Sequence, residues 1–326
     1  MAANGKKYWA GFDLGGTKMF VTVFDQHFTP LAVKRKKTKG YEGMEAGLSR
    51  MVKTVQQACE EAQIEPAALT GIGVGCPGPL DLKKGILKEA ANLGWSNVPV
   101  RKTLQDAFGC PVVLGNDVDV GVLGEYHSGA GKGAHGVLGI FPGTGIGAGF
   151  VYEGKVLRGK NSSCLEFGHI QIQPQGPLCG CGKYGCLEAV ASRLAIAGEA
   201  VKAAYRGQAP ALLEACGMDL SKVRSGALKK AIDGGDQVVE QIVRDGARWL
   251  GTGVAIMVNL LAPDIVILGG GLVEALPDLF KKNVTEAANT RVMPGYRNTF
   301  TVKTAELGDD AGVTGAALMA RDEITA

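Results

Sequence analysis

Hydrophobic and polar positions along this chain fall into short blocks punctuated by glycine. Tyr8 to Asp25 reads YWAGFDLGGTKMFVTVFD, two apolar and β-branched runs joined by Gly15-Gly16-Thr17, which predicts a hairpin. Met44, Leu48, Met51, Val52, Val55 and Cys59 recur at helical spacing and predict an amphipathic helix over Glu45–Gln63. Gly71–Val74 reads as a buried strand running into the loop CPGPLD, and Pro111–Leu114 as another that breaks at Gly115-Asn116-Asp117. A helix follows from Val118. Val137–Phe141 is again a strand, then PGTGIGAG, then the strand-like FVYEGKVLRG. This order, strand then glycine turn then strand, repeats the opening roughly 125 residues later, as a repeat of topology and not of letters. A duplicated α/β fold with a cleft between its halves is therefore expected. Leu187–Tyr205, Asp236–Leu261 and Ala311–Arg321 are helical in pattern, with strands at Asp264–Leu268 and near Phe300–Val302. Topology puts the domain boundary near Gly115–Val118.

Composition narrows the class. The chain has 326 residues, enough for two domains, and its 46% hydrophobic and 21% charged residues exclude wholesale disorder. A net charge of +3 is too small to imply a nucleic-acid partner. The basic stretch Lys34, Arg35, Lys36, Lys37, Lys39 reads as a solvated strand end and loop, with a polyanion-attracting patch as the alternative. The apolar run Val137–Val151 is broken by Pro142 and glycines, so no membrane span is expected, and no apolar segment of a secretory signal precedes the first strand. These features point to a cytoplasmic protein, in which clustered cysteines hold a metal more often than they form disulfides.

Glycine is the outlier, with 49 residues. Glycine turns after strands let backbone N–H groups approach phosphate, and three are present: Gly15-Gly16-Thr17-Lys18, Gly143-Thr144-Gly145, and Gly269-Gly270-Gly271. No GxxxxGK[ST] string occurs, and Gly143-Thr144-Gly145-Ile146-Gly147 leads into a strand where a dinucleotide fingerprint would lead into a helix. His169, Cys179, Cys181 and Cys186 form H-x9-C-x-C-x4-C in a glycine- and proline-rich loop. Three thiolates and an imidazole suit tetrahedral zinc, and four protein ligands leave no open position, so the site is structural. Glu188 lies two residues past Cys186 at a helix start, where the metal would fix its direction.

Asp13-Leu14-Gly15-Gly16-Thr17-Lys18 and Gly143-Thr144-Gly145-Ile146-Gly147 resemble the two phosphate hairpins of the actin-like/hexokinase superfamily of ATP-binding folds. Gly73-Val74-Gly75-Cys76-Pro77-Gly78-Pro79-Leu80-Asp81, Asn116-Asp117, Glu166-Phe167-Gly168-His169 and the cysteine loop through Glu188 are similar to the ROK family of repressors, open reading frames and sugar kinases. The resemblance spans nearly the whole chain. It implies an α/β fold of two actin-like/ribonuclease-H-like domains flanking a cleft, residues 1–116 plus 307–326 forming the smaller domain and 117–306 the larger. It implies an ATP-dependent hexose kinase, glucose first, with Asn92, Asn116, Asp117, Glu166, His169 and Glu188 lining the sugar pocket. Asp117 is the expected base for the sugar hydroxyl, kept ionised by the helix it begins. Asp13 is expected near the Mg²⁺ that accompanies ATP. Gly15, Gly16, Thr17, Lys18, Gly143, Thr144 and Gly145 are expected on the phosphates, and Gly269, Gly270 and Gly271 on the adenosine side. A homodimer or larger symmetric assembly is implied too.

The competing readings are a kinase for N-acetylmannosamine, N-acetylglucosamine, fructose or allose, a polyphosphate-using kinase, and a sugar-responsive repressor. The repressor is disfavoured because only twelve residues precede Asp13, too few for a helix-turn-helix. Asn161-Ser162-Ser163-Cys164-Leu165, which departs from the Gly/Ala-rich run common before this Glu in glucokinases, touches the pocket wall and hence the sugar's identity.

Overall fold

The computed structural model describes residues 6–90, 92–160, 164–217, 219 and 222–325. The chain divides into two compact units, one comprising Met1–Gly133, Val151–Cys164 and Leu307–Ala326, the other Ala134–Phe150 and Leu165–Glu306.

In the first unit, β1 (Tyr8–Leu14) and β2 (Lys18–Phe24) form the expected hairpin, paired from Trp9↔Phe24 to Leu14↔Met19. β3 (Pro30–Lys37) closes that edge, with the basic run on it as an exposed strand. Lysines on an edge strand discourage pairing with another chain. α1 (Met44–Glu61) buries Leu48, Met51, Val55, Ala58 and Cys59, as its periodicity predicts. β4 (Leu69–Cys76) pairs parallel with β1.

The loop expected over CPGPLD gives way to a strand at Leu80. β5 (Leu80–Asp81), β6 (Ile86–Ala90) and β7 (Trp95–Val98) make a separate three-stranded sheet. Gly85, at φ 68°, turns the chain between the first two strands. Then α2 (Val100–Phe108), β8 (Val112–Asn116) and α3 (Asp117–Ser128) follow, β8 lying parallel to β4.

The second sheet repeats the first. It contains β9 (Gly136–Pro142), β10 (Ile146–Tyr152) and β11 (Lys155–Val156), joined after a helical region by β12 (Ile265–Leu268) and β13 (Thr301–Thr304). Its order, β11-β10-β9-β12-β13, matches β3-β2-β1-β4-β8 strand for strand, with β12 parallel to both β9 and β13. The topological repeat read from two glycine turns extends over five strands.

Between these strands lie α4 (Glu188–Ala191), α5 (Arg193–Tyr205), α6 (Pro210–Cys216), α7 (Ser225–Asp233) and α8 (Gln237–Leu261), then α9 (Gly271–Ala275) and α10 (Pro277–Asn289). The single helix expected over Leu187–Tyr205 is broken at Ser192, whose extended backbone (ψ 158°) and side chain, accepting from Ala195 N at 3.1 Å, start a new helix. α8 buries Val239, Val243, Ala247, Leu250, Val254 and Val258 along one stripe.

The chain then returns to the first unit as α11 (Asp310–Thr325), laid on the backbone of β1 and β4. A Cβ at Gly73 would sit 1.8 Å from the Ala316 carbonyl oxygen, so only glycine permits that approach. α3 packs on α11 in the same way, and this is why α3 stays with the first unit although the sequence places a boundary at 116/117. A Cβ at Gly315 would meet the Val120 carbonyl oxygen at 1.7 Å. Gly315→Ala is therefore expected to cost about 3 kcal/mol through forced separation of the two helices. Gly226→Ala in α7, where nothing lies within 4 Å, should be neutral or slightly stabilising. Urea denaturation of the two variants checks the contrast; equal stabilities would refute it. Among the described residues no helix is long and apolar enough to cross a membrane.

Candidate active site

Each unit carries chemistry at the end of its first hairpin. In the first, the β1–β2 turn is closed by Gly15 N–H donating to Lys18 O at 3.0 Å. It is braced from outside by the Thr38 hydroxyl, which donates to Gly15 O at 2.7 Å, and by Thr38 N–H, which donates to Thr17 O at 2.9 Å. Lys18 pairs with Asp309, Nζ to Oδ1 at 2.6 Å. Asn92 lies against the turn, since a Cβ at Gly16 would be 3.3 Å from its Cβ.

Asp13 lies near the end of β1, between the buried Phe12 and Leu14 and beside Gly312 at the start of α11. Burial pushes its carboxyl up to about 7; Asp117 adds repulsion, Lys18 partly offsets it and Asp309 adds a little more. Three carboxylates and one ammonium thus share this corner, an oxygen donor set that suits a hard divalent cation.

The sign of the Asp13 effect on stability follows from linkage. Its folded-state pKa lies above the unfolded value, so its contribution is fully present below about pH 4 and lost as pH rises through about 7. Asp13→Asn is expected to raise the melting temperature of the ligand-free protein by a few degrees at pH 8, the gain shrinking toward pH 4. Melting curves at the two pH values decide it, and a pH-independent difference would be inconsistent with a strained carboxylate.

Asn116 and Asp117 stand where β8 becomes α3. The Asn116 side chain caps the helix, its Oδ1 accepting from Val118 N at 2.9 Å and Asp119 N at 3.4 Å. Asp117 Oδ1 also accepts from Val118 N at 2.9 Å. The helix start is not the main influence on the acidity of Asp117. Burial dominates and pushes its pKa up, and the hydrogen bonds from Val118, Asp117 and Asn116 only partly oppose the rise. A carboxylate so placed is a stronger base than one in water.

In the second unit, the Cys/His motif converges. The ligand atoms of His169, Cys179, Cys181 and Cys186 lie within 4.8 Å of one another. Cys179 Sγ is 3.6 Å from His169 Nδ1 and Cys181 Sγ is 3.7 Å from Cys186 Sγ. Tetrahedral zinc with bonds of about 2.3 Å to sulfur and 2.0–2.1 Å to nitrogen separates such atoms by about 3.6–3.8 Å, so the donor set fits that ion. The loop is a small knuckle, closed by Cys179 N–H to Lys183 O at 2.8 Å and Gly185 N–H to Pro177 O at 2.9 Å, with a bridge between Gln171 and Cys186. His169 N–H donates to Glu166 O at 2.9 Å, which puts the exposed Glu166 beside the knuckle.

Glu188 connects the knuckle to the second glycine turn. Its Oε1 is 3.6 Å from Cys179 Sγ and its Oε2 accepts from Ile146 N at 3.0 Å. The turn itself is closed by Gly143 N–H to Gly145 O at 2.7 Å. Gly270 lies at the same end of the sheet, where a Cβ would be 3.4 Å from the Pro142 carbonyl oxygen. Gly143–Gly145 and Gly269–Gly271 thus both follow the carboxyl ends of the adjacent parallel strands β9 and β12, the end at which open α/β sheets bind ligands.

Arg193 is the residue that sequence reasoning missed. Its N–H donates to Gly143 O at 2.9 Å and its Nη2 to Thr144 Oγ1 at 2.9 Å. Ser192 as a helix-capping residue was the signal that could have located it.

Two like-ordered sheets, each opened by a glycine-turn hairpin, define a duplicated actin-like, ribonuclease-H-like α/β fold. The chain belongs to the ROK family, whose model matches residues 9–323. It is 33% identical over 317 residues to the glucokinase of Thermotoga maritima, covering 96% of this chain and 97% of that one. Among solved structures it resembles the ROK hexokinase from Thermus thermophilus, at 34% identity, TM-score 0.84 and coverage of 98% and 99%. It also resembles a ROK family glucokinase from Streptomyces griseus in complex with glucose and AMPPNP, at 31% identity, TM-score 0.81 and coverage of 97% and 99%.

Proposed function

We propose that this protein is an ATP-dependent hexose kinase that transfers the γ-phosphate of ATP to the 6-hydroxyl of glucose. The observation that carries the reading is the placement of Asp117, a carboxylate made more basic by burial, in the same unit as the Gly15–Lys18 turn and Asp13. The glucokinase relatives, and the glucose and AMPPNP held by the Streptomyces griseus enzyme, support the substrate pair.

Asp117 accepts the proton of the 6-hydroxyl as that oxygen bonds to the γ-phosphorus and ADP leaves. Asn92 and Asn116 in the first unit, and Glu166, His169 and Glu188 in the second, bind sugar hydroxyls. With Nδ1 turned to Cys179 Sγ, His169 keeps Nε2 for a hydroxyl. Thr17, Lys18 and the backbone of Gly15 and Gly16 hold phosphate oxygens, as do Gly143, Thr144 and Gly145, while Gly269–Gly271 faces adenosine. Asp13 takes up the Mg²⁺ of the nucleotide, which neutralises phosphate charge. Zinc, when held by His169, Cys179, Cys181 and Cys186, is structural, and locks the knuckle that carries His169 and leads into Glu188. The protein acts as a cytoplasmic homodimer or larger homo-oligomer.

Sugar-phosphate formation across glucose, mannose, fructose, allose and N-acetylhexosamines, with MgATP or polyphosphate as donor, tests the reading. Glucose with MgATP is expected to give the highest kcat/KM. Absence of sugar-phosphate formation with either donor would overturn the kinase, and preference for an N-acetylated sugar would overturn glucose. Asn161, Ser162 and Ser163, expected to touch the pocket wall, lie outside the described residues.

A further inference from the structure

Arg193 is the first residue of α5, and the break at Ser192 places it against the second glycine turn. A first-turn helical N–H has no partner within its own helix, and Arg193 donates this one to Gly143 O. The side chain adds a second bond, from Nη2 to the Thr144 hydroxyl oxygen at the tip of the turn. Glu188 grips the same turn from its far end through Ile146 N. The turn is therefore clamped at three points by α4 and α5.

A threonine hydroxyl has one proton to give and two lone pairs to accept with. A guanidinium can only donate. The Arg193 bond must therefore end on a lone pair of Thr144 Oγ1, and it leaves the hydroxyl proton to be donated elsewhere. Among the described residues no carboxylate lies within ion-pair distance of Arg193, although the residue is half-buried. A half-buried cation without a counter-charge, bonded to the tip of a glycine turn, is matched by an anion arriving at that turn.

We infer that Arg193 is a positioning residue for nucleotide phosphate: it holds Thr144 Oγ1 as an acceptor, so that the Thr144 hydroxyl proton is presented to a phosphate oxygen of ATP. The inference rests on the kinase reading above for its ligand, and extends it to a residue outside the glycine motifs.

The test compares Arg193→Gln, Arg193→Lys, Thr144→Val and the Arg193→Gln/Thr144→Val double variant. The backbone bond to Gly143 persists in each of them. Arg193→Gln is expected to raise KM for MgATP about tenfold, the usual weight of one charge-assisted hydrogen bond, with KM for glucose and the melting temperature unmoved. Arg193→Lys should recover much of the loss, because an ammonium also donates to Oγ1. The double variant should be no worse than Thr144→Val alone, since the arginine acts through that hydroxyl. An unchanged KM for MgATP in Arg193→Gln, an equal rise in both KM values, or effects that multiply in the double variant would each overturn the inference. Calorimetric titration with MgATP reads the same loss without turnover. An inactive wild type that still binds MgATP would therefore count against the kinase reading and leave this inference to the binding data.

Discussion

Asp117→Asn is expected to lower kcat by about 10³-fold while the Kd for glucose changes less than threefold. The size is that expected for losing the proposed general base, a contribution of about 10²–10⁴ in rate. Folding should survive, because the asparagine oxygen can still accept from Val118 N and the Asn116 cap is untouched. The substitution also removes the repulsion between Asp117 and Asp13, so the variant should be no less stable than the wild type. The pH profile adds a second readout. Burial raises the Asp117 pKa, and the reaction needs the ionised form, so kcat/KM should rise with pH through a value above the ordinary aspartate range. Stopped assays from pH 5 to 9 would show this limb in the wild type and its loss in the variant. A variant retaining a tenth or more of the wild-type kcat would remove Asp117 from the role of base.

The second large effect concerns the knuckle. Purified protein is expected to carry one zinc per chain by elemental analysis, and Cys181→Ser to carry none. Cys181 suits this experiment because it is exposed, whereas Cys179 and Cys186 are buried and their replacement would also disturb packing. Glucose phosphorylation should fall by more than about 100-fold in kcat/KM, beyond the 10–100-fold usual for groups that only support a metal ligand. The loss should appear in both KM values. In the proposed reading His169 and the neighbouring Glu166 serve the sugar, while Glu188 runs from Cys179 to the backbone of the second glycine turn at Ile146. Chelated wild type should regain activity with added zinc, and Cys181→Ser should not. Full activity in zinc-free protein would show that the four side chains meet for some other reason.

Much of the site could be read before any fold was known. H-x9-C-x-C-x4-C holds its ligands within eighteen residues, and the structure brings the four atoms to metal-binding separations. The opening hairpin follows from two apolar, β-branched runs about a glycine turn, and α1 from a period of 3.6, both local properties. Where reading failed, the missing information was not local. β5, β6 and β7 form a sheet of strands too short to show alternation. Arg193 gains its meaning from Gly143 and Thr144, which lie fifty residues earlier in the chain. The boundary expected at 116/117 moved past α3 because Gly315 admits the Val120 carbonyl, a contact between distant segments.

The sequence by itself determined the order of chemical parts: three glycine turns, a carboxylate opening a helix, a Cys/His loop with metal-ligand spacing and a strand–turn–strand unit that occurs twice. It did so because each part is written in neighbours a few residues apart, where spacing and chain geometry suffice. Only the tertiary structure decided how those parts are charged and braced. The raised pKa values of Asp13 and Asp117, and the three-point clamp on the Gly143–Gly145 turn, depend on burial and on groups from other elements. Desolvation and fields act through space and add over whatever the fold has gathered, so they become defined only when the chain has closed around them.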